Sequence, residues 1–530
     1  MHGVEMVLLL VALATVVAAF ANRLAIPAPS LLVAAGVVAG LLPGVPDVRV
    51  SPQVISLVVL PPLLYASGEE LSVRDLRAVW RPVAILSVGL VLVSAFAVGL
   101  VAAALTPLGT ALAFVLGAIL ASTDPVAVTA LGRRLSLPPR MQTLVQAESL
   151  FNDATSLLLF KITLSVAVAG GATSAGHVGW EFVKLAGGGT LVGAGVAGAA
   201  RLMRRRVEDP LVDTVISLVT PYAAYVIAES FDASGVTAVV VAAVILGAQT
   251  ARATNAHTRI QRHAVYETLI FLLESAVFGL IGLELPAQVR DLPPQDRQWV
   301  LPVLAITVTL VATRFLGVFP LSTAAQLDSG GGQPARGRPT GERRLSWRVP
   351  IVISWSGTRG VVPLAAALSI PLVSDDGAAL PDRSLLLVLV TGTVVITLLV
   401  QGFTLAPMVS WAGVAVPPGA LYQEDAAARL RLSGAALDRL DELANQDGAP
   451  PAVIERLREE YATRIAYTAD AADAGETPAL VTAYRLLRRD LIEVEHGELD
   501  RLHAAGEITD KTRRKLQRML DLEDVTLGGD

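Results

Sequence analysis

Gln142–Val168 reads QTLVQAESLFNDATSLLLFKITLSVAV. The stretch is long and apolar enough to cross a bilayer as one helix, which needs about 20 mainly apolar residues. Its centre, however, carries Glu148, Ser149, Asn152 and Asp153. Ionisable groups inside a spanning segment cost several kcal/mol and normally face a bundle interior or an ion path. Glu148 and Asn152 stand one turn apart, as do Ser149 and Asp153, so the two pairs occupy adjacent faces. Two carboxylates, an amide and a hydroxyl within six residues supply the oxygens a hard monovalent cation wants. A poorly hydrated carboxylate also holds its proton more tightly, so one group can take either a proton or a cation.

The rest of the chain has the same character. It holds 530 residues, 53% hydrophobic and 17% charged, against about 45–50% and 25% in soluble domains. From Leu421 onward there are 15 basic and 23 acidic residues in 110, whereas the preceding 420 hold 27 and 24. A membrane body over 1–412 and a charged helical cytosolic tail over 413–530 follow. Zero cysteines and six histidines without an HExxH pair exclude disulfides, thiolate metal sites and zincin chemistry. No GxSxG elbow occurs, so nothing supports a hydrolase. The expectation is a transporter and not an enzyme, without cofactor and without nucleic-acid partner.

Thirteen spans are expected: 4–22, 28–43, 53–68, 82–105, 110–131, 142–168, 181–201, 210–230, 235–250, 264–286, 299–320, 348–372 and 384–412. The first has an acidic leader, unlike a cleaved signal peptide. With the N-terminus outside, the inside loops hold nineteen arginines, and the outside loops only Arg49, Arg290, Arg297 and Arg383. That bias sets an N-out, C-in orientation. Residues 321–346, with Gly330-Gly331-Gly332 and several prolines, read as a flexible cytosolic loop. The tail reads as helices packed on themselves or on a sister subunit, and its ligand is not legible.

Two other spans carry polar breaks. The fifth holds Ser122-Thr123-Asp124-Pro125, where proline removes a backbone donor and frees a carbonyl. Asp124 there either caps a kink or joins a site. The twelfth holds Ser354 to Pro363, with Arg359 between Gly357 and Gly360. A buried guanidinium needs an anion, and Glu148 is the candidate, the alternative being an arginine that reaches cytosolic headgroups. The two breaks occupy matching places in two six-helix units, as in inverted-repeat transporters. Lys161 is expected to snorkel to the outer interface. Glu229, Glu267, Glu274 and Arg314 read as structural pairing residues.

These runs resemble the monovalent cation:proton antiporters of the Na+/H+ exchanger type. The resemblance is carried by Ser122–Val128, Glu148–Asp153 and Gly357–Gly360, with Leu60–Tyr65 and Ile281–Leu285. It implies thirteen helices, a dimerising part, a moving core and elevator-like alternating access in a bacterial cytoplasmic membrane. It implies that Asp153 is the carboxylate shared by Na+ and H+, that Asn152 and Ser149 help hold the ion, and that Thr123 and Asp124 lie at the helix break. Glu148 and Arg359 match the family's buried ion pair. An Asn-Asp pair in place of Asp-Asp implies one-for-one, electroneutral exchange. The family's acidic residue after the Leu-Pro-Pro run is Ala66 here, so helix three lacks that ligand. A K+-selective exchanger, or a membrane sensor signalling through the tail, stays open as an alternative.

Overall fold

The computed structural model describes residues 15–17, 27–42, 55–124, 137–168, 175–207, 209–253, 256–328, 347–371, 382–414, 418–445, 450–474, 479–505 and 507–528. The first expected span apart from residues 15–17, the second half of the fifth (from Pro125) and most of the loop before Arg348 lie outside them. The chain separates into two compact units, Met1–Ala415 and Val416–Asp530.

The first unit is all-helical among the described residues. Its helices are α1 (Ala28–Leu41), α2 (Leu60–Glu69), α3 (Val73–Leu105), α4 (Thr110–Leu120), α5 (Pro139–Val168), α6 (Ala175–Arg204) and α7 (Pro210–Ser230). Then come α8 (Gly235–Ala253), α9 (Ala256–Arg290), α10 (Val300–Asp328), α11 (Arg348–Trp355), α12 (Val361–Leu368) and α13 (Arg383–Ala412). Seven described helices (α3, α5, α6, α7, α9, α10 and α13) are long and apolar enough to cross a membrane. The apolar α1, α2, α4 and α8 are shorter, and α11 and α12 are two halves of one interrupted segment. Every expected span except the first therefore meets a helix or a broken pair.

The outer surface explains why this is a membrane protein. Leu92, Phe96 and Leu100 recur every turn of α3 and are 48–56% exposed. Such stripes are a liability in water and at home in lipid. Inside, helices approach through small residues, as membrane helices do. A Cβ on Gly36 of α1 would stand 2.9 Å from the Gly282 Cα of α9.

Several boundaries differ from the sequence reading. Helix α3 begins at Val73, capped by the Ser72 hydroxyl accepting from the Asp75 N–H at 3.3 Å. Arg74, Arg77 and Arg81 thus ride on a helix rather than in a loop. Pro82 lies inside α3, followed by a π-helical turn over Ile85–Leu90. Helix α10 continues to Asp328, past the expected loop start at 321. Ser322 to Leu327 contain no breaker, so the helix has no reason to stop before the glycines. Lys161 has a partner that the sequence reading did not give it. Its ammonium sits 2.5 Å from Glu229 of α7, whose carboxylate also accepts from the Gly235 N–H at 3.1 Å. Both side chains are about one-third exposed and Glu229 lies at the C-terminal end of α7, so the ammonium meets its carboxylate at a helix end.

The second unit contains α14 (Pro418–Asn445), α15 (Pro451–Ala474), α16 (Ala479–Ala504) and α17 (Asp510–Gly528). Ile492, Leu499 and Leu520 form the small core between α16 and α17. Arg458 ties α15 to Asp441 of α14 at 2.6 Å. Arg488, hydrogen-bonded to Glu523, holds that carboxyl below its ordinary range.

Candidate functional site

Helix α4 ends at Leu120 and Ala121–Asp124 are non-helical. The residue before a proline is disfavoured in the α region, so the backbone has left the helix before Pro125. The second break, Ser356–Gly360, separates α11 from α12. The two breaks lie side by side and antiparallel, joined by a single β-bridge between Asp124 and Thr358. The Asp124 N–H donates to the Thr358 carbonyl at 2.8 Å, and the Thr358 hydroxyl donates to the Asp124 carbonyl at 2.9 Å. Helix ends leave unsatisfied backbone groups, and here each break satisfies part of the other.

Arg359 completes this exchange. Its Nε–H donates to the Leu120 carbonyl and its Nη1 to the Gly357 carbonyl, both at 2.7 Å. A cation at the carbonyl end of α4 also opposes the negative end of that helix dipole. The Arg359 backbone N–H donates to the Thr397 hydroxyl of α13 at 3.3 Å. Arg359 is 2% exposed, so the alternative that it reaches headgroups is excluded.

Helix α5 is laced to the first break by the residues singled out in the sequence. The Ser149 hydroxyl donates to the Thr123 carbonyl, and the Ser156 hydroxyl donates to the Ala118 carbonyl at 2.7 Å. The Thr123 N–H donates to Asn152 Oδ1 at 3.3 Å, and Asn152 Nδ2 donates to the Thr123 hydroxyl at 2.5 Å. A backbone N–H can only donate, so it fixes which end of the amide faces it. Asp153, 8% exposed, faces the Ser122 hydroxyl and lies within electrostatic reach of Asp124 and Arg359. Thr123, Asp124, Ser149, Asn152, Asp153 and Arg359 are therefore brought together.

Glu148 is the exception, and the expected Glu148–Arg359 pair is corrected. Glu148 is held in two-pronged fashion by Arg314 of α10, Nη1 to Oε1 at 2.5 Å and Nη2 to Oε2 at 3.0 Å. Arg314 also donates from Nε to the Ile353 carbonyl at 3.2 Å, and both side chains are at most 3% exposed. The fork of a guanidinium matches a carboxylate edge-on. Arg359 uses its own donors on carbonyls, leaving Arg314 to neutralise Glu148. Between them a cavity of about 10 Å³, near the space one water needs, is lined by Thr123, Glu148, Asn152, Arg314 and Arg359 among others. Asp153 lies on the adjacent face of α5.

Sequence reasoning passed over Thr397 and Ser156 and read Arg314 and Glu274 as structural pairing residues, and Arg314 is paired, though with Glu148. The signal for Arg314 was an arginine within an apolar span. Glu274, midway along α9, is within electrostatic reach of Asp124, while Glu267 is exposed. Ala66 is buried on α2 and brings no oxygen ligand. Among the described residues no group of three or more acidic, histidine or cysteine side chains is arranged to hold a metal. Side-chain oxygens at the crossing come instead from Asp153, Asp124 and hydroxyls.

Gly360 sits against the Asp124 carboxylate, and a Cβ there would overlap it. Gly360→Ala is expected to push Asp124 aside at a cost of about 1–3 kcal/mol. A lowered melting temperature together with slowed transport in liposomes checks this. An unchanged protein would mean that the carboxylate can move away freely.

Comparison with known proteins agrees with the residues. A sodium/hydrogen exchanger transmembrane family model matches residues 8–411. A Mycobacterium tuberculosis protein named as an uncharacterized Na(+)/H(+) exchanger is 35% identical over 535 residues, covering 99% of this chain and 96% of its own. The Na(+)/H(+) antiporter ApNhaP of Aphanothece halophytica is 30% identical over 418 residues, covering 79% and 75%. The structure of the sodium proton antiporter MjNhaP1 from Methanocaldococcus jannaschii superimposes with a TM-score of 0.60 at 18% identity, covering 77% of this chain and 98% of that one. Crossed helix breaks, buried polar lacing and these matches lead to one assignment: the chain belongs to the sodium/hydrogen exchanger family, whose members are multi-pass secondary transporters and not enzymes.

Proposed function

We propose that this chain exchanges cytosolic Na+ (or Li+) for H+, one for one, by competition of the ion and the proton for Asp153. The observation that carries the reading is the position of Asp153. It is a nearly inaccessible carboxylate on a membrane helix, facing a hydroxyl beside two crossed helix breaks. Backbone carbonyls freed at such breaks and nearby hydroxyls are suited to take over part of an ion's hydration shell. Asn152 and Ser149 hold the Thr123 segment in place, and Thr123 and Asp124 frame the break. Glu148 is neutralised by Arg314, which leaves Asp153, Asp124 and Arg359, with Glu274 in reach of Asp124, as the charges that respond to loading.

In this reading the body has thirteen spans in two inverted repeats, the N-terminus lies outside and the tail is cytosolic. The protein works as a homodimer in a bacterial cytoplasmic membrane, with an elevator-like displacement of the core. The resemblance in sequence and the match to the MjNhaP1 fold support that architecture.

The test is pH-dependent fluorescence dequenching in proteoliposomes, with Na+, Li+ and K+ added in turn and with a membrane potential imposed. Na+ and Li+ are expected to collapse the pH gradient and K+ to leave it intact, with no acceleration by the potential. A response to K+ alone would replace the reading with a K+ exchanger. A rate that follows the potential would overturn one-for-one stoichiometry.

A further inference from the structure

Helix α13 runs behind the second break, and its polar residues fall on one side. Thr393, Thr397, Gln401 and Thr404 recur at i, i+4, i+8 and i+11, within about 80° of one another on a helical wheel. Two fixed points show what this stripe faces. The Thr397 hydroxyl accepts from the Arg359 N–H, and the Thr404 hydroxyl accepts from the indole N–H of Trp355, the last residue of α11, at 2.9 Å. The stripe therefore follows the interrupted segment from the end of α11 to the break at Arg359.

Several polar atoms along it are buried with no partner among the described residues. The Thr393 hydroxyl and Gln401 Oε1 lack one, and so does the Ser354 hydroxyl next to Trp355. These side chains are 0%, 3% and 0% exposed. Threonines in a helix ordinarily bond the carbonyl one turn back, as Thr307 and Thr309 do at 2.8 Å. Thr393 does not. Buried polar groups without protein partners are where ordered water is found.

The spacing fits water. Residues four apart on a helix are separated by about 6 Å along its axis. Two hydrogen bonds of about 2.8 Å meeting at a water's tetrahedral angle span about 4.5 Å, and the reach of the threonine and glutamine side chains makes up the rest.

We propose that a file of ordered water lines the seam between α13 and the α11–α12 break, bridging Thr393, Thr397 and Gln401, and that it hydrates the crossing from its α13 side. Turnover then depends on Thr393 and Gln401 as well as on Asp153 and its neighbours. Only this link to transport rests on the antiport reading.

The test uses the full chain and two near-isosteric variants, Thr393→Val and Gln401→Leu. Millisecond hydroxyl-radical footprinting with mass spectrometry reads water beside α13. Melting temperature and Na+-driven dequenching are measured on the same preparations. The wild type is expected to be labelled along 388–404, with labelling lost in Gln401→Leu. Exchange should slow about tenfold at unchanged half-saturating Na+, without any gain in melting temperature. An unlabelled wild type overturns the water file. So does a pair of variants that melt higher and exchange normally, because deleting an unpaired buried polar group in a dry seam removes only a penalty. A wild type that is labelled but shows no Na+-driven exchange refutes the antiport reading and leaves the seam standing.

Discussion

Asp153→Asn is expected to reduce cation/proton exchange to the level of protein-free liposomes while leaving the protein folded. The amide keeps the shape of the carboxylate and can still bond the Ser122 hydroxyl, but it can neither release a proton nor offer a negative charge to a cation. Apart from its bond to Ser122, Asp153 takes no part in the lacing that holds the break. That lacing runs from Ser149 and Asn152 to Thr123, and from Ser156 to Ala118. Size-exclusion profile and melting temperature should therefore stay near wild type. Dequenching with Na+ and Li+ is the measurement, and robust exchange by the variant would sink the proposal that Asp153 is the shared carboxylate.

The second large effect is structural. Arg314→Leu strands Glu148, which is 1% exposed, as a buried charge without its partner. Breaking one side of a buried pair costs about 3–5 kcal/mol, whereas replacing both partners is often neutral. Arg314→Leu is expected to lower the melting temperature in detergent sharply, and Glu148→Gln combined with Arg314→Leu should recover most of it. Arg359→Leu should not be rescued by Glu148→Gln, since its guanidinium is spent on the Leu120 and Gly357 carbonyls. The opposite pattern, with Glu148→Gln rescuing Arg359→Leu only, would restore the pairing expected from the sequence.

The contrast between those two arginines shows how far the sequence could be read. That Arg359 is buried at a helix interruption was legible from Gly357, Gly360 and Pro363. Lipid leaves few reasons to put a guanidinium there. Its partner was not legible, because carbonyls released by a break in another helix are invisible in a residue string. Arg314 was visible as an arginine in an apolar run, but nothing local says that it lies across from Glu148, 166 positions away. The Glu148–Asp153 run was the easier case, because helical spacing alone fixes which of its side chains share a face. Apolar runs likewise announced the helices, whereas the extension of α10 and the early start of α3 depended on helix propensity that polar composition concealed. The partner of Lys161 was not legible for a related reason, since Glu229 comes from a separate helix.

The π-helical turn at Ile85–Leu90 has a genealogical consequence. Such a turn closes its hydrogen bonds one residue further along than an α-helical turn, so it holds one more residue. Residues after it lag by about 100° behind where a regular helix through the same sequence would put them. That phase presents Ser94 to Thr313 of α10 and brings Val91 and Ser94 to the wall of the small cavity beside Glu148. Forcing 85–90 into a regular α-helix with no residue removed would turn Ser94 away from Thr313, whereas removing one residue there would leave it facing the same way. A one-residue gap placed within 85–90 when relatives are aligned therefore marks a straightened turn with the wall still aimed, and a change of length elsewhere in the helix marks a re-aimed one.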